Sequence, residues 1–325
     1  MDAETQRSLR RTRGWVRSAC ESRQAGRAGA FLIVLALVGC DPPPLTPNGV
    51  VGVFGGIGLG HGEFNYPRGI DVAPDGCVFV VDKSARIQRF SGEGAFETAW
   101  TMPERFKGKP VGLTVHPDGR LFVPDTHYHR VMVFDRDGRE LARFGTHGRG
   151  DGEFELPTDV AIADDGTIYV SEYYGNDRIT RWSPEFEFRG VLAAGEVGGK
   201  PLARPESIAI DAEQTIWCAD ACNHRLLRLD RDGNLLTQFG HFGDGPGELR
   251  YPYSVTVTPE ETLLVCEYEG SRLQWFTKEG RSIRTWGSNG REVGHLWLPW
   301  GAAVAADGRV YVVDSYNSRV QIVRP

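Results

Sequence analysis

The sequence predicts an all-β protein: a six-bladed β-propeller of four-stranded antiparallel blades, its ring closed by an N-terminal strand that completes the last blade. Three observations predict it. Glycine, at 41 of 325 residues, is abundant and implies many tight turns. Prolines at 67, 110, 157, 205, 252 and 299 head self-similar segments spaced 43, 47, 48, 47 and 47 residues apart, and a period of this length marks an array of blades. The last segment stops after its third strand, while GVVGVFGGIG (Gly49 to Gly58) has the character of a fourth strand with no unit before it. An open sheet edge at that junction would expose unpaired backbone groups, so ring closure has a physical cause.

In chain order, the first forty residues differ from the rest. Arginines at 7, 10, 11, 13, 17, 23 and 27 precede the apolar run AGAFLIVLALVGC, which ends at Cys40. That run is too short for a stable bilayer anchor and fits the apolar region of a secretory signal. LVGC, Leu37 to Cys40, resembles the lipobox of bacterial lipoproteins. The resemblance implies that residues 1–39 are a signal peptide and that Cys40 is the lipidated first residue of the mature chain. Residues 40–49, with DPPPLTPNG, then form a Pro-rich tether holding the propeller, residues 50–325, off the membrane. The expected location is the bacterial cell envelope, lipid-anchored and facing the periplasm or the surface.

Loss of residues 1–39 removes seven arginines and three acids and takes the net charge from −6 to −10. A surface this acidic repels phosphate backbones, so nucleic acid is not an expected partner. Cys77, Cys218, Cys222 and Cys266 are spaced as neither a zinc ribbon nor a disulfide framework. They read as small buried residues, with Cys218 and Cys222 close enough in sequence to pair under oxidising conditions.

Each unit is punctuated in the same way. A leading proline opens the first strand, where its missing N–H breaks no ladder. A short apolar run such as GIDVA or DVAIA suits a buried inner strand. PDG, DDG or ADG then marks a hairpin in which glycine supplies the positive φ. An alternating strand follows and ends in an acid: Asp82, Asp125, Glu172, Asp220, Glu267 or Asp314. A short loop leads to Arg86, Arg130, Arg178, Arg225, Arg272 or Arg319 and the third strand. An outer strand and a Gly-rich passage such as FGTHGRGDGEFELP reach the next proline.

The outline P-x-G-I-x-V-x-x-D-G-x-I-Y-V-x-D-x-x-N-x-R-I resembles the NHL repeat family of six-bladed propellers. Asn223 and Asn317 hold its asparagine position and Asn176 falls near it, while Ser84 or Ala85, Tyr128 and Gly270 depart from it. The resemblance covers the chain after Gly49 and implies a fold, but fold does not assign function.

Residue types common to all blades serve the blade, so a site is expected where blades differ. The recurrent acids and arginines are expected to pair across one hairpin connection rather than form a charged site. The Gly-rich passages lack the following helix that a nucleotide-binding loop needs. Variation concentrates beside the leading prolines and in the loops after the acids, which in propellers crowd one rim. The expected ligand-binding residues are Arg68, His127, Asp159, Tyr173, Glu206, Tyr253, Tyr268, Trp300 and Tyr316, forming a concave mouth with aromatic walls and a few charges.

That mouth fits a monomeric, lipid-anchored module that binds or scaffolds an envelope protein, peptide or glycan, with no cofactor. Two enzymatic alternatives stand beside it. Resemblance to the peptidyl-α-hydroxyglycine lyases implies a histidine-bound zinc, with Arg68 and Tyr253 or Tyr316 as acid–base candidates. None of the eight histidines lies at the channel end of an inner strand, however. Resemblance to lactonase-type propellers implies a central calcium, which Asp159 and Glu206 could begin to coordinate, but no inner-strand asparagine completes that set. No GxSxG motif is present. DTHYHR, Asp125 to Arg130, aligns with DSYNSR and DACNHR as a blade loop, so its His-x-His spacing belongs to the repeat.

Overall fold

The computed structural model describes residues 48–324. The expected signal peptide, Cys40 with its expected lipidation, and most of the expected tether lie outside the described residues. Six four-stranded antiparallel sheets follow one another, and the N-terminal strand Val50–Gly55 lies outermost in the sixth, beside Arg319–Val323. The ring is therefore closed as the sequence predicts.

Why these segments form blades is visible in their burial. The second strand of each blade is apolar on both faces and fully enclosed, as in Val78–Asp82, Leu121–Asp125 and Val310–Asp314. Each sheet packs face to face with its neighbours, so the core is divided into clusters lying between adjacent blades. Phe64, Phe90, Tyr311 and Ile322 join the sixth blade to the first, and Phe154, Val170 and Trp182 help join the second to the third. Four of the Gly-rich connections end in a buried anchor, Phe64, Phe154, Leu249 or Leu296, fixed by a parallel bridge to Ile57, His147, Phe242 or Asn289.

The acids closing the second strands are buried, and each meets its own arginine. The contacts are 2.9 Å for Asp82–Arg86, 3.0 Å for Asp125–Arg130, 2.5 Å for Glu172–Arg178, 2.8 Å for Asp220–Arg225, 2.6 Å for Glu267–Arg272 and 2.7 Å for Asp314–Arg319. The residue before most of these arginines is left-handed, with φ 58° at His129, 55° at His224 and 53° at Ser318, which turns the chain sharply into the third strand. Asn223 and Asn317 add a bond from their amides to the acid and another to a carbonyl of the incoming connection, which explains why the repeat favours asparagine there.

The cysteines of the described chain are all free: Cys218 and Cys266 are buried, Cys77 is half-buried and Cys222 is exposed.

Replacing Asp220 by alanine leaves the Arg225 guanidinium buried without its carboxylate. We expect a loss of about 3–5 kcal/mol in urea unfolding. A loss below about 1 kcal/mol would mean that the pair behaves as a surface ion pair.

Candidate functional site

Inner strands begin with an irregularity that sets the site. In blades one, three, four and five the pairing slips just after the leading proline, between Pro67 and Ile70, Pro157 and Asp159, Pro205 and Ser207, and Pro252 and Ser254. A bulge re-aims the unpaired side chain. Here the bulged residues include Arg68, Glu206 and Tyr253, and with Trp300 they line a cavity of about 280 Å³ at the ring centre.

The mouth is an aromatic frame holding two guanidinium groups. Tyr253 and Tyr268 stack at 4.5 Å, and both meet Trp300 edge-on, at 5.0 and 5.5 Å. Arg204 donates to Glu206 Oε2 at 2.6 Å and lies 4.8 Å over Tyr173 and 4.6 Å over Tyr253. Arg68 lies 4.5 Å over Trp300. Its guanidinium donates no hydrogen bond and has no ion pair among the described residues, and burial pushes it below its ordinary value. Glu206 Oε1 is buried with no partner. Burial also pushes the phenols of Tyr253 and Tyr268 well above their ordinary value. Tyr316 meets Tyr66 edge-on at 5.1 Å and lies near enough to Tyr268 to raise that phenol further, which places it on the rim of the same mouth.

The structure thus brings together Arg68, Tyr173, Glu206, Tyr253, Tyr268, Trp300 and Tyr316. His127 is engaged elsewhere: its Nδ1 accepts from Lys109 N–H at 3.2 Å, and burial lowers its pKa. Asp159 lies deeper in the channel wall, where it accepts from Val160 N–H at 2.9 Å and from Ile208 N–H of the next blade at 3.0 Å. Sequence reasoning missed Arg204, which precedes its leading proline with φ 63°, because only the positions after the prolines were compared. It also missed Asp71, which bonds Val72 N–H at 2.8 Å and, in blade two, Val115 N–H at 2.7 Å.

Among the described residues the histidines do not gather at the mouth. Besides His127, the histidines are spread around the outer connections and hairpins: His61 stacks on Phe96, His116 meets Asp118, His129 packs on His147, His224 accepts from Tyr251 N–H, His241 meets Glu248 and His295 bonds Ser288. Among the described residues no group of three or more His, Cys, Asp or Glu is placed to hold a metal ion. Both oxygens of Asp159 already serve backbone donors, so the expected start of a calcium site is spent on joining blades.

Geometry of this kind defines a six-bladed propeller with a framed central mouth. The repeat has a family match as well: residues 296–323, in blade six, match the NHL repeat. It is 28% identical over 133 residues to protein brain tumor of Drosophila melanogaster, a match covering 41% of this chain and 12% of that protein. It is 29% identical over 173 residues to a probable peptidyl-alpha-hydroxyglycine alpha-amidating lyase of Caenorhabditis elegans, covering 51% of this chain and 46% of that one. The chain thus spans half or less of the length of these relatives. Among solved structures, a streptogramin B lyase superposes with a TM-score of 0.60 at 13% identity, over 84% of this chain and 97% of that one; at that identity the likeness is one of fold.

The channel carboxylates make stability depend on pH. Desolvation raises Asp71 to about 6 and Asp159 to about 7, above their unfolded value of about 3.9. Acids raised in the folded state contribute stability that is present below about pH 4 and lost as pH rises through about 7. The denaturation midpoint of the native protein should therefore fall over that window more steeply than that of Asp159→Asn, and parallel curves would refute the assignment.

Proposed function

We propose that this chain is a monomeric binding or scaffolding propeller of the bacterial cell envelope, exported through residues 1–39 and anchored by lipid at Cys40. Its mouth receives a carboxylate-bearing peptide or glycan. The observation that carries this reading is Arg68, a guanidinium stacked on Trp300 at a concave opening with no carboxylate of its own. A guanidinium fork matches a carboxylate through two parallel hydrogen bonds and gains most where water is scarce. Arg204, by contrast, is already neutralised by Glu206. Glu206 Oε1 supplies an acceptor for an N–H or O–H of the ligand, and the faces of Tyr253, Tyr268 and Trp300 supply apolar walls.

Similarity to an amidating lyase favours one second reading, in which the same mouth acts on its ligand with Arg68, Tyr253 and Tyr316 as the working groups. In that reading Tyr253, pushed up by burial, stays protonated at neutral pH and serves as a proton donor rather than a base.

The test is capture from envelope extract by the purified propeller, with metal analysis of the same sample. Arg68→Ala and Trp300→Ala should each weaken retention of the captured species by about 2 kcal/mol, roughly 30-fold, as buried Arg and Trp anchors do. Unchanged retention by both variants would move the site away from the mouth. Stoichiometric zinc or calcium with turnover of the ligand would replace binding by catalysis.

A further inference from the structure

The connection from blade one to blade two, residues 102–113, does not do what its counterparts do. In the other blades a backbone N–H two residues before the leading proline, from Asn65, Glu155, Ala203, Arg250 or Trp297, bonds to that blade's buried acid. Arg86, Arg178, Arg225, Arg272 and Arg319 donate in turn to carbonyls of their connections. Residues 102–113 provide neither contact. Arg130 meets the Glu104 side chain at 2.5 Å instead, and Asp125 Oδ1 is left buried with no partner. Desolvation raises Asp125 to about 6. A repeat that gives up a shared contact at one position marks that position as a candidate for function.

The residues that break the repeat in blade two hold the diverted segment. Tyr128, at the asparagine position, accepts from Phe106 N–H at 2.9 Å and Lys107 N–H at 3.0 Å, where Asn223 and Asn317 donate to carbonyls. His127 accepts from Lys109 N–H. So fixed, the segment presents Phe106 with 95% of its surface exposed. Leu59, 68% exposed, stands across a groove of about 570 Å³ that is also lined by Lys83, Arg105 and Lys109. None of these three cations, nor Lys107, pairs with a carboxylate among the described residues, although the chain carries 43 acids against 37 bases.

We propose that the groove between Leu59 and Phe106 docks an acidic segment of a partner protein, its carboxylates on Lys83, Arg105 and Lys109 and an apolar side chain against Phe106. Charge complementarity selects the acidic partner: unpaired cations on an acidic protein attract what the rest of its surface repels. The concave shape takes a single extended chain better than a flat headgroup layer. Pinning by Tyr128 and His127 orders the docking segment before the partner arrives, which lowers the cost of binding. The site shares no residue with the central mouth, so either can fail without the other.

The test uses fluorescence anisotropy of the full chain with a labelled peptide alternating Glu and Ser around one central Phe. Binding should weaken about tenfold between about 50 and 300 mM salt. Phe106→Ser and the double variant Arg105→Glu, Lys109→Glu should each weaken it by about tenfold or more. The melting temperature of Phe106→Ser should stay unchanged because that side chain is exposed, and the same losses should appear when the groove variants are made on Arg68→Ala, which removes the mouth's own guanidinium. Equal binding of a peptide with Gln in place of Glu, native-like binding by both groove variants, or no saturable binding of the acidic peptide would each overturn the proposal. So would phosphatidylglycerol vesicles that bind the chain in a Phe106-dependent way and displace the peptide.

Discussion

A carboxylate taken out of water at the end of every second strand is the constraint on which the rest of this propeller depends. An isolated buried charge is costly, and each lone pair that meets a donor makes it more tolerable. Asp314 meets that demand with Arg319, Asn317, Gln321 and the Trp297 N–H. Those donors come from the third strand, from the loop and from the incoming connection, so satisfying one acid fixes three parts of a blade. The arginine, once held, reaches the carbonyls of the incoming connection and settles where its own blade's inner strand begins. Strand order alone would permit loose rims; the buried acid makes them rigid.

Rigid rims let inner strands specialise. Neighbouring blades are joined along the channel by side chains that reach across: Asp71 to Val115 N–H, Thr114 to the Val160 carbonyl, Asp159 to Ile208 N–H, and Thr256 to the Ala302 carbonyl. Below the mouth, then, polar inner-strand residues are consumed by construction. Above it, the bulges release one side chain per strand from pairing, and only there do charge and aromatic surface remain free for a ligand. This division explains why Asp159 and Glu206, adjacent in blade order and alike in chemistry, end with different roles.

Most of the fold was legible because repetition reveals it: prolines, hairpin glycines, acids and arginines recur in register, and the unmatched Val50–Gly55 strand announced the closure. The mouth was legible in outline, since comparing blades singled out Arg68, Glu206, Tyr253 and Trp300. What escaped was three-dimensional satisfaction of polar atoms. Nothing in the sequence says that Glu206 is neutralised by Arg204 while Arg68 is left unpaired, because their partners are set by bulges and left-handed residues. His127 looked like a ligand group for a similar reason, and Tyr128 like a mere departure from the repeat. Their acceptors serve backbone N–H groups of a segment whose path no local pattern predicts.

The closing strand has a mechanical consequence. Val50 pairs with Val323 and Gly55 with Arg319, so the chain enters the ring at the rim opposite the mouth, its first residue fastened by Trp286 to the Asn48 carbonyl at 2.6 Å. Tension applied through the chain before Asn48 loads that bond first. It then reaches the strand pair from one end, rung after rung, rather than all rungs at once. Any such tension therefore has one point of first failure, on the far side of the molecule from the mouth.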